Sequence, residues 1–578
     1  EMFIRDRDMG DIATAQTVAM DALSGDAANK AQALNRLVRL ARRVGDEDPA
    51  RRHAAELLSL DTGVLHKLRL ARTLGQTRLI ETIVSGMPQD VATGRLDEAE
   101  AGKIAQFLLD EGLIGLVLYL WRRGVPIGRQ EQASLERNGL GHDGKRGQPQ
   151  SFEKARAMRS PDVLFPITAE SARQARPDGP RPRLRDTDCV LLVNPVLAAG
   201  GAERQFLMAV RSLLAAGLPP PRHHAALFSL ERDRGHDHFA HSLLETGIHL
   251  HDLSRRPQSR LDLPDRERRM LALFPARLRN DTTALLDLAR RLEPAVIHGW
   301  QDRGSLAAGL VGQLLGIGRT VLSVRNMRPR KRGEEADWIA HSVYSELLPS
   351  PGVTITANAA EGARDYEDWL GLPEGRVGVL SNAVDDTMFR ARPGENTRNG
   401  PIRILGVFRL SANKRPLLWL ETVSALRLRH GLSLQPRLVG AGPMSDEIRR
   451  KADTLGLDDL RIDPPVPDPS DIYRESDVLL LMSRVEGTPN VVLEAQACGL
   501  PVAACRVGGV RDAMHLTGAS GGLLLDAEVS ATAAADAIAD WLPGALQAPA
   551  APRVTFIKDA FSMSALGRNL LALYGAGA

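Results

Sequence analysis

Two glutamates with a defined spacing are the residues of this sequence best suited to chemistry. Glu486 and Glu494 enclose seven residues, and a continuous apolar run at 478–482 precedes them. Pro489 suits the first turn of a helix, where its missing N–H has no partner to lose. The pattern predicts a buried strand, a loop that carries Glu486 and Thr488 as candidate ligand-binding residues, and a helix carrying Glu494.

The predicted helix start indicates what the two carboxylates could bind. The free N–H groups of Asn490, Val491 and Val492 would face a ligand there. A helix N-terminus carries about half a positive charge, which favours a phosphate or a polar sugar. Each carboxylate can accept two hydrogen bonds from a diol, so Glu494 suits a ribose and Glu486 suits sugar hydroxyls. The alternative is a capping or solvent-facing pair, which the strand–loop–helix context disfavours.

This segment resembles the signature of family 4 of the retaining glycosyltransferases, which have the GT-B fold. The matching positions are Glu486, Glu494, Ala495, Ala497, Gly499, Pro501 and Val502, followed by Gly508-Gly509. The family often has a glutamate shortly afterwards, where this chain has Asp512. The resemblance covers roughly residues 186–578, and it implies a nucleotide-sugar donor that is most commonly UDP-linked.

A second segment resembles the family's loop after the first strand of the second domain. It runs from Gly406 to Pro416 and places Arg409 and Lys414 at the family's diphosphate-binding pair, with Phe408 where a glycine is usual. Two fixed cations would stabilise the charge that grows on a leaving diphosphate. The resemblance therefore implies a metal-independent reaction with no cofactor, in which these cations and Glu486 are catalytic candidates.

Two segments that follow first-domain strands resemble the family's acceptor-side elements. Ala199-Gly-Gly-Ala-Glu-Arg-Gln resembles its glycine-rich loop, which lies near the phosphates of the donor and the acceptor. Gly200 and Gly201 are therefore candidate binding residues, expected to allow close backbone approach and positive φ. Val296-Ile-His-Gly-Trp ends another strand, where a histidine of the family looks toward the donor sugar and the β-phosphate. The resemblance makes His298 a catalytic candidate, with a structural histidine as the alternative.

From Cys189 onward, strand-like and helix-like segments alternate. The run Cys-Val-Leu-Leu-Val is as apolar as a strand covered on both faces requires. Strands are expected at 189–193, 225–228, 295–298, 320–324 and 353–357, and in a second series at 402–407, 435–439, 460–462, 478–482 and 501–505. This pattern predicts an α/β protein of GT-B type, with two Rossmann-like domains facing a cleft.

The first part of the chain differs, because its apolar residues recur at helical spacing without strand-like alternation. Helices are expected at 33–43, 54–60, 64–74 and 103–109, with Met87-Pro88 among the turn signals. A small α-solenoid and a helical bundle are the alternatives. The predicted organisation is a helical domain at 1–140, a linker at 141–186, an acceptor-side Rossmann-like domain at 187–397, a nucleotide-sugar-side one at 398–561, and a C-terminal helix at 562–578 that returns to the first.

The composition is that of a globular protein. Of the 578 residues, 43% are hydrophobic and 25% are charged, and the net charge of +3 gives no global field for nucleic acid. Three cysteines far apart form neither a disulfide framework nor a metal-binding spacing. The lack of a signal peptide or of an apolar run long enough to cross a bilayer completes the prediction of a cytoplasmic protein.

Two basic stretches suggest contact with anionic lipid at the inner face of the cytoplasmic membrane, or with an anionic acceptor. Their residues are Arg255, Arg256, Arg260, Arg266, Arg268, Arg269, Arg277 and Arg279 in the first stretch, and Arg325, Arg328, Arg330, Lys331 and Arg332 in the second. Both are expected in the first Rossmann-like domain. The alternative is a solvated arginine-rich face.

Together these features predict a retaining glycosyltransferase acting on a glycan or lipid-linked acceptor in bacterial surface polysaccharide biosynthesis. The added helical domain leaves two alternatives open. It could recruit a protein that is itself the acceptor, or the chain could be a non-catalytic interaction scaffold. A protein partner would then bind through residues 1–140.

Overall fold

The computed structural model describes most of the chain. Its described residues are 63–73, 77–94, 96–137, 140, 151–158, 188–255, 271–329, 337–391, 400–466 and 468–575, with short pieces in 19–57, 184, 263–264 and 267–268. They form two compact units, which are Glu1–Leu164 with Pro264–Arg279, and Phe165–Leu263 with Asn280–Ala578. The short acidic motif formed by Asp6 and Asp8 lies outside the described residues. Among the described residues, no helix combines the length and apolar content needed to cross a membrane.

The first unit is helical where it is described. Its helices are α1 Val64–Thr73, α2 Thr77–Ala92, α3 Glu98–Asp110, α4 Ile114–Arg122, α5 Arg129–Arg137 and α6 Phe152–Ala157. Leu34, Val38, Leu57 and Leu70 form one buried cluster. Asp97 caps the N-terminus of α3, because its side chain accepts a hydrogen bond from the amide of Glu100 at 2.7 Å.

Three predictions for this region are wrong. Pro88 lies inside α2 and not in a turn. Within the predicted linker, 152–157 form α6, where a Cβ added to Gly115 would lie 2.2 Å from the carbonyl oxygen of Ala155, so only glycine allows this packing. Residues 264–279, predicted to lie in the first Rossmann-like domain, belong to the helical unit. The last two involve partners distant in sequence, since Ala155 packs against Gly115 and Arg279 bonds Asp110.

The second unit contains two parallel sheets. The first has the order β3-β2-β1-β4-β5-β6-β7. Its elements are β1 Val190–Asn194, α7 Gly201–Ala215, β2 His223–Leu227, α8 Ala240–Leu244, β3 His249–Asp252, α9 Ala276–Leu292, β4 Val296–Trp300, α10 Gln301–Leu315, β5 Arg319–Ser323, α11 Asp337–Leu347, β6 Val353–Ala357, α12 Ala360–Leu370 and β7 Val377–Val379. The boundary between the two units falls within α9, after Arg279. Every residue of β1 and β4 is buried, which agrees with their continuous apolar character.

The second sheet has the order β10-β9-β8-β11-β12-β13. Its elements are β8 Ile402–Val407, α13 Pro416–His430, β9 Leu434–Val439, α14 Ser445–Thr454, β10 Arg461–Asp463, α15 Ser470–Glu475, β11 Val478–Leu481, α16 Asn490–Ala497, β12 Val502–Cys505, β13 Leu523–Leu525, α17 Ala531–Gln547, α18 Ala551–Phe561 and α19 Met563–Tyr574. In both sheets the strand order reverses beside the first strand, between β1 and β4 and between β8 and β11. Ligands of such folds bind at this reversal, at the carboxyl ends of the strands.

The C-terminal helix α19 belongs to the core of the first sheet and not to that of the second. Leu566, Leu570 and Tyr574 are buried among residues of β1, α7 and β4. Between the two sheets, the amide of Val384 donates to the carbonyl oxygen of Phe561 at 2.8 Å. The chain therefore crosses between the two domains twice, and the two crossing segments contact one another.

Candidate functional site

The loop after β11 carries Glu486 and packs tightly against a second loop. Gly508 has a φ of 51°, and a Cβ there would lie 1.7 Å from the carbonyl oxygen of Glu486. The amide of Gly509 donates to the carbonyl oxygen of Gly487 at 2.9 Å. Only glycine permits these positions, and Gly508-Gly509 therefore hold the Glu486 loop in place.

Lys414 and Glu486 meet at the reversal of the second sheet, because Lys414 follows β8 and Glu486 follows the neighbouring β11. The Lys414 ammonium forms an ion pair with Oε1 of Glu486. Asn413 supports this contact by donating from Nδ2 to the carbonyl oxygen of Val485 at 3.1 Å. The structure thus brings together two of the predicted site residues, which neutralise one another.

Arg409 lies in the same loop, with its side chain exposed. Its guanidinium makes no ion pair or hydrogen bond with any described residue. Phe408 turns inward into the core of the second domain. A Cβ added to Gly440 would lie 2.0 Å from the carbonyl oxygen of Phe408, so the loop after β9 packs closely against this backbone.

Glu494 lies on α16 and is buried, with both carboxylate oxygens bonded. Oε1 pairs with the guanidinium of Arg204, which comes from α7 of the first domain. Oε2 accepts a hydrogen bond from the hydroxyl of Tyr473 at 2.8 Å. Burial and the neighbouring Glu494 raise the pKa of Tyr473 well above its usual value, so the phenol remains a donor. No local sequence signal assigns a role to Arg204 or Tyr473, since neither lies near Glu494 in the chain.

The start of α16 differs in part from the prediction. Pro489 is the N-cap, and the helix begins at Asn490. The amide of Val492 donates to the carbonyl oxygen of Pro489 at 3.1 Å, so its predicted role as a free donor is wrong. The amides of Asn490 and Val491, as the first two of the helix, have no partner within it.

The side chains around this helix start bind the two domains together. Thr488 is buried and its hydroxyl donates to the carbonyl oxygen of Asn358 at 2.7 Å, which corrects its predicted role as a ligand-binding residue. Oδ1 of Asn490 accepts from Asn382 at 2.7 Å and from Gln205 at 3.1 Å. The Gln205 amide also makes two bonds of 2.7 Å with the backbone of Ala383.

The glycine-rich loop after β1 lies against the second domain, and its expected close approach to a ligand stays a prediction. A Cβ on Gly201 would lie 3.1 Å from Nδ2 of Asn490, so the backbone does approach the second domain closely. The prediction of a positive φ at these two glycines is wrong. Gly200 has a φ of −136° as the N-cap of α7, and Gly201 is not among the residues with positive φ. The non-glycine with positive φ at this edge is Gln301, with a φ of 59°.

His298 is a structural residue and not a catalytic one, which corrects the prediction. It is 0% exposed in β4. Its Nδ1 bonds the Tyr574 hydroxyl and its Nε2 bonds Oγ of Ser323, both at 2.7 Å. Burial and the Arg325 cation lower its pKa to about 3. With both nitrogens used and the ring neutral, His298 can reach no substrate.

Replacing His298 with alanine should therefore destabilise the fold by about 3 kcal/mol, through two lost hydrogen bonds and a cavity. The folded state keeps the ring neutral, while the unfolded chain takes up a proton below its ordinary pKa of 6.5. The stability due to the neutral ring is thus lost as the pH falls from 6.5 toward 3. Urea unfolding should show a smaller difference between wild type and variant at pH 5 than at pH 7. Lost nucleotide binding with native stability would contradict this role.

Arg325 is a further residue that sequence reasoning misplaced, as part of a surface stretch. It is buried after β5, and its guanidinium lies 4.4 Å from the centre of the Trp300 ring. Its Nη1 donates to the carbonyl oxygen of Leu380 at 3.0 Å, and its Nη2 donates to Oδ1 of Asn382. Burial lowers its pKa to about 9. Arg325 thus supports the crossing between the domains.

The basic stretches do not form the predicted patch within one domain. Arg268, Arg277 and Arg279 belong to the helical unit, where Arg279 bonds Asp110 at 3.0 Å. Several residues of the two stretches lie outside the part of the chain that the structure describes. They are Arg256, Arg260, Arg266, Arg269, Arg330, Lys331 and Arg332, together with the side chain of Arg255. Contact with an anionic surface stays a prediction. Among the described side chains, no group of three or more histidines, cysteines or carboxylates is placed to hold a metal ion.

The geometry defines a class of protein with two Rossmann-like domains. Acidic and basic side chains lie together where the strand order of the second sheet reverses. Residues 401–543 match the family model described as Glycosyl transferases group 1. The match begins just before β8 and ends within α17, so it includes Arg409, Lys414, Glu486 and Glu494. The chain thus carries a glycosyltransferase group 1 domain.

Curated proteins related to this chain bear names from glycan synthesis. The Vi polysaccharide biosynthesis protein VipC/TviE of Salmonella typhi is 30% identical over 242 residues, which are 40% of this chain and 41% of that protein. A D-inositol 3-phosphate glycosyltransferase of Thermomonospora curvata is 34% identical over 250 residues, or 39% of this chain and 56% of the other. The chain therefore spans about half the length of these relatives.

Solved structures of low sequence identity share the fold. Anabaena Alr3699/HepE in complex with UDP and glucose has a TM-score of 0.53 at 14% identity, covering 67% of this chain and 98% of its own. Sucrose-phosphate synthase from Thermosynechococcus elongatus has a TM-score of 0.51 at 17% identity, with 67% and 98% covered. The second unit thus has the GT-B fold that these structures share.

Proposed function

We propose that this chain is a retaining family 4 glycosyltransferase that uses a UDP-sugar and acts in bacterial surface polysaccharide biosynthesis. One observation carries the proposal: Lys414 pairs with Glu486 at the carboxyl edge of the second sheet, and Glu494 lies on the helix that follows, all inside the glycosyltransferase group 1 domain. The UDP complex of HepE and the name of the Vi polysaccharide relative support the donor and the pathway class.

The donor would lie along the second domain. Glu494 would accept hydrogen bonds from the ribose diol, and Glu486 from the sugar hydroxyls. Arg409 and Lys414 would hold the diphosphate, together with the free amides of Asn490 and Val491 at the start of α16. Binding would draw the Lys414 ammonium from Glu486 toward the phosphate and leave the carboxylate free for the sugar.

Transfer would then proceed on one face of the sugar. As the bond between the anomeric carbon and the phosphate oxygen breaks, negative charge grows on the diphosphate, and the two cations stabilise it. The leaving phosphate would take the proton of the attacking acceptor hydroxyl, so no protein nucleophile or metal is required. The acceptor, a glycan or a lipid-linked glycan, would approach past the Gly200-Gly201 loop of the first domain. We place the protein in the cytoplasm, where it would meet this acceptor.

Mass spectrometry with a panel of UDP- and GDP-sugars tests the donor, and calorimetry with UDP tests nucleotide binding. The expected result is saturable UDP binding and slow hydrolysis of one UDP-sugar, with the anomeric configuration of the product retained by NMR. A protein that binds no nucleotide and turns over no donor would instead support the scaffold alternative. Capture of a partner by the full chain, followed by sugar transfer to that partner, would support a protein acceptor.

A further inference from the structure

Glu494 is enclosed by two neighbouring side chains, although its proposed role is to receive a ribose. Its side chain is 4% exposed. The Arg204 guanidinium covers Oε1, and the Tyr473 hydroxyl covers Oε2 at 2.8 Å. A hydroxyl group can therefore reach this carboxylate only where a neighbour withdraws.

Of the two neighbours, Arg204 is the one able to withdraw. Tyr473 is 0% exposed and packs edge-on against Phe389 inside the second domain, with ring centres 5.9 Å apart. Arg204 has a side chain that is 31% exposed and comes from the opposite domain. Moving its guanidinium into water costs little, because its charge would be solvated and its long side chain has many rotamers.

Its place in the fold makes Arg204 a contact of the first domain with the nucleotide side of the second. It lies in the first turn of α7, directly before Gln205, whose amide bonds the crossing at Ala383 and the helix start at Asn490. The backbone around Arg204 is thus anchored to the second domain, while the arginine side chain adds a contact that a ligand can replace.

We propose that Arg204 is a displaceable substitute for the ribose hydroxyls at Glu494, and that donor binding exchanges this ion pair for hydrogen bonds from the ribose. This inference rests on the proposed function. The return of Arg204 to Glu494 would help to release UDP after transfer. The same exchange sets the specificity, because a nucleotide without ribose hydroxyls can bind through its diphosphate while Arg204 stays in place.

Calorimetry with UDP and with 2′,3′-dideoxy-UDP on the full chain tests the proposal. Replacing Arg204 with methionine keeps the length of the side chain and removes the competing cation. UDP should then bind about fivefold more tightly, the size expected for a partly exposed ion pair. Binding of dideoxy-UDP should change by less than about twofold, so the ratio of the two affinities should grow. Arg204→Lys, which keeps the charge, should resemble the wild type.

Arg211→Met is the matched control, since Arg211 lies two turns further along α7, with Asp385 at 3.9 Å; its UDP affinity should equal that of the wild type. Weaker or unchanged UDP binding in Arg204→Met would overturn the inference, as would equal gains for both nucleotides. In these cases the wild type still binds UDP, and the proposed function stands. A wild type that binds no UDP would instead remove the proposed function and this inference with it.

Discussion

Replacing Lys414 with alanine is expected to lower kcat/KM for sugar transfer about a thousandfold. The ammonium lies beside Glu486 at the sheet reversal, where the diphosphate of the donor would sit. Its charge would act mainly in the transition state, when the leaving diphosphate becomes more negative, and loss of one such contact costs about a hundredfold to a thousandfold in kcat. Steady-state kinetics on the donor found in the sugar panel measure the effect.

Lys451→Ala is the matched control for this prediction. Lys451 is in the same domain, on α14, but outside the proposed site. Its ammonium pairs with the Glu421 carboxylate at 2.6 Å. It should transfer sugar at the wild-type rate. Because the Lys414 side chain is 22% exposed on a loop, the variant should remain folded by circular dichroism. Turnover close to wild type in Lys414→Ala would remove Lys414 from the proposed site.

Replacing Glu494 with alanine should raise the Kd for UDP about a hundredfold, because two hydrogen bonds from the ribose to a buried carboxylate are lost. The effect belongs to the ribose, so the affinity for 2′,3′-dideoxy-UDP should change little. Calorimetry with both nucleotides separates the contribution of the ribose hydroxyls to the affinity from that of the rest of the nucleotide. Glu494→Gln, which retains an acceptor for Tyr473, should fold as the wild type does and still bind UDP weakly.

Glu475→Ala provides the control for the loss of a glutamate from the same domain. Glu475 ends α15, is exposed, and pairs with Arg437 at 3.4 Å. Its removal should leave the Kd for UDP unchanged. Equal losses for UDP and dideoxy-UDP in Glu494→Ala would show that the variant disturbs the site as a whole, and would count against a ribose contact.

Most central strands could be predicted because their signal is local. The strand expected at 402–407 is β8, and that expected at 353–357 is β6. A strand buried on both faces needs a continuous apolar run, and any window of the sequence displays one. The missed strands lack this signal. β3 is the edge strand His-Leu-His-Asp, while β7 and β13 have three residues each.

The candidate site could be predicted in part, for the same reason. The spacing of Glu486 and Glu494 and the loop with Arg409 and Lys414 each lie within one stretch of chain, after a recognisable strand. His298 was misassigned because its sequence context shows only that it lies on a strand. Which atoms surround its ring depends on Ser323 and Tyr574, and Tyr574 is 276 residues away.

The sequence by itself determined the two α/β series, the loops that follow β8 and β11, and the acidic and basic residues in those loops. Only the tertiary structure decided their partners. Lys414 and Glu486 are 72 residues apart and Arg204 and Glu494 are 290 apart. Local periodicity reports which face of an element is buried, but an ion pair across such distances forms only where the sheet order and the crossing between the domains bring the side chains together.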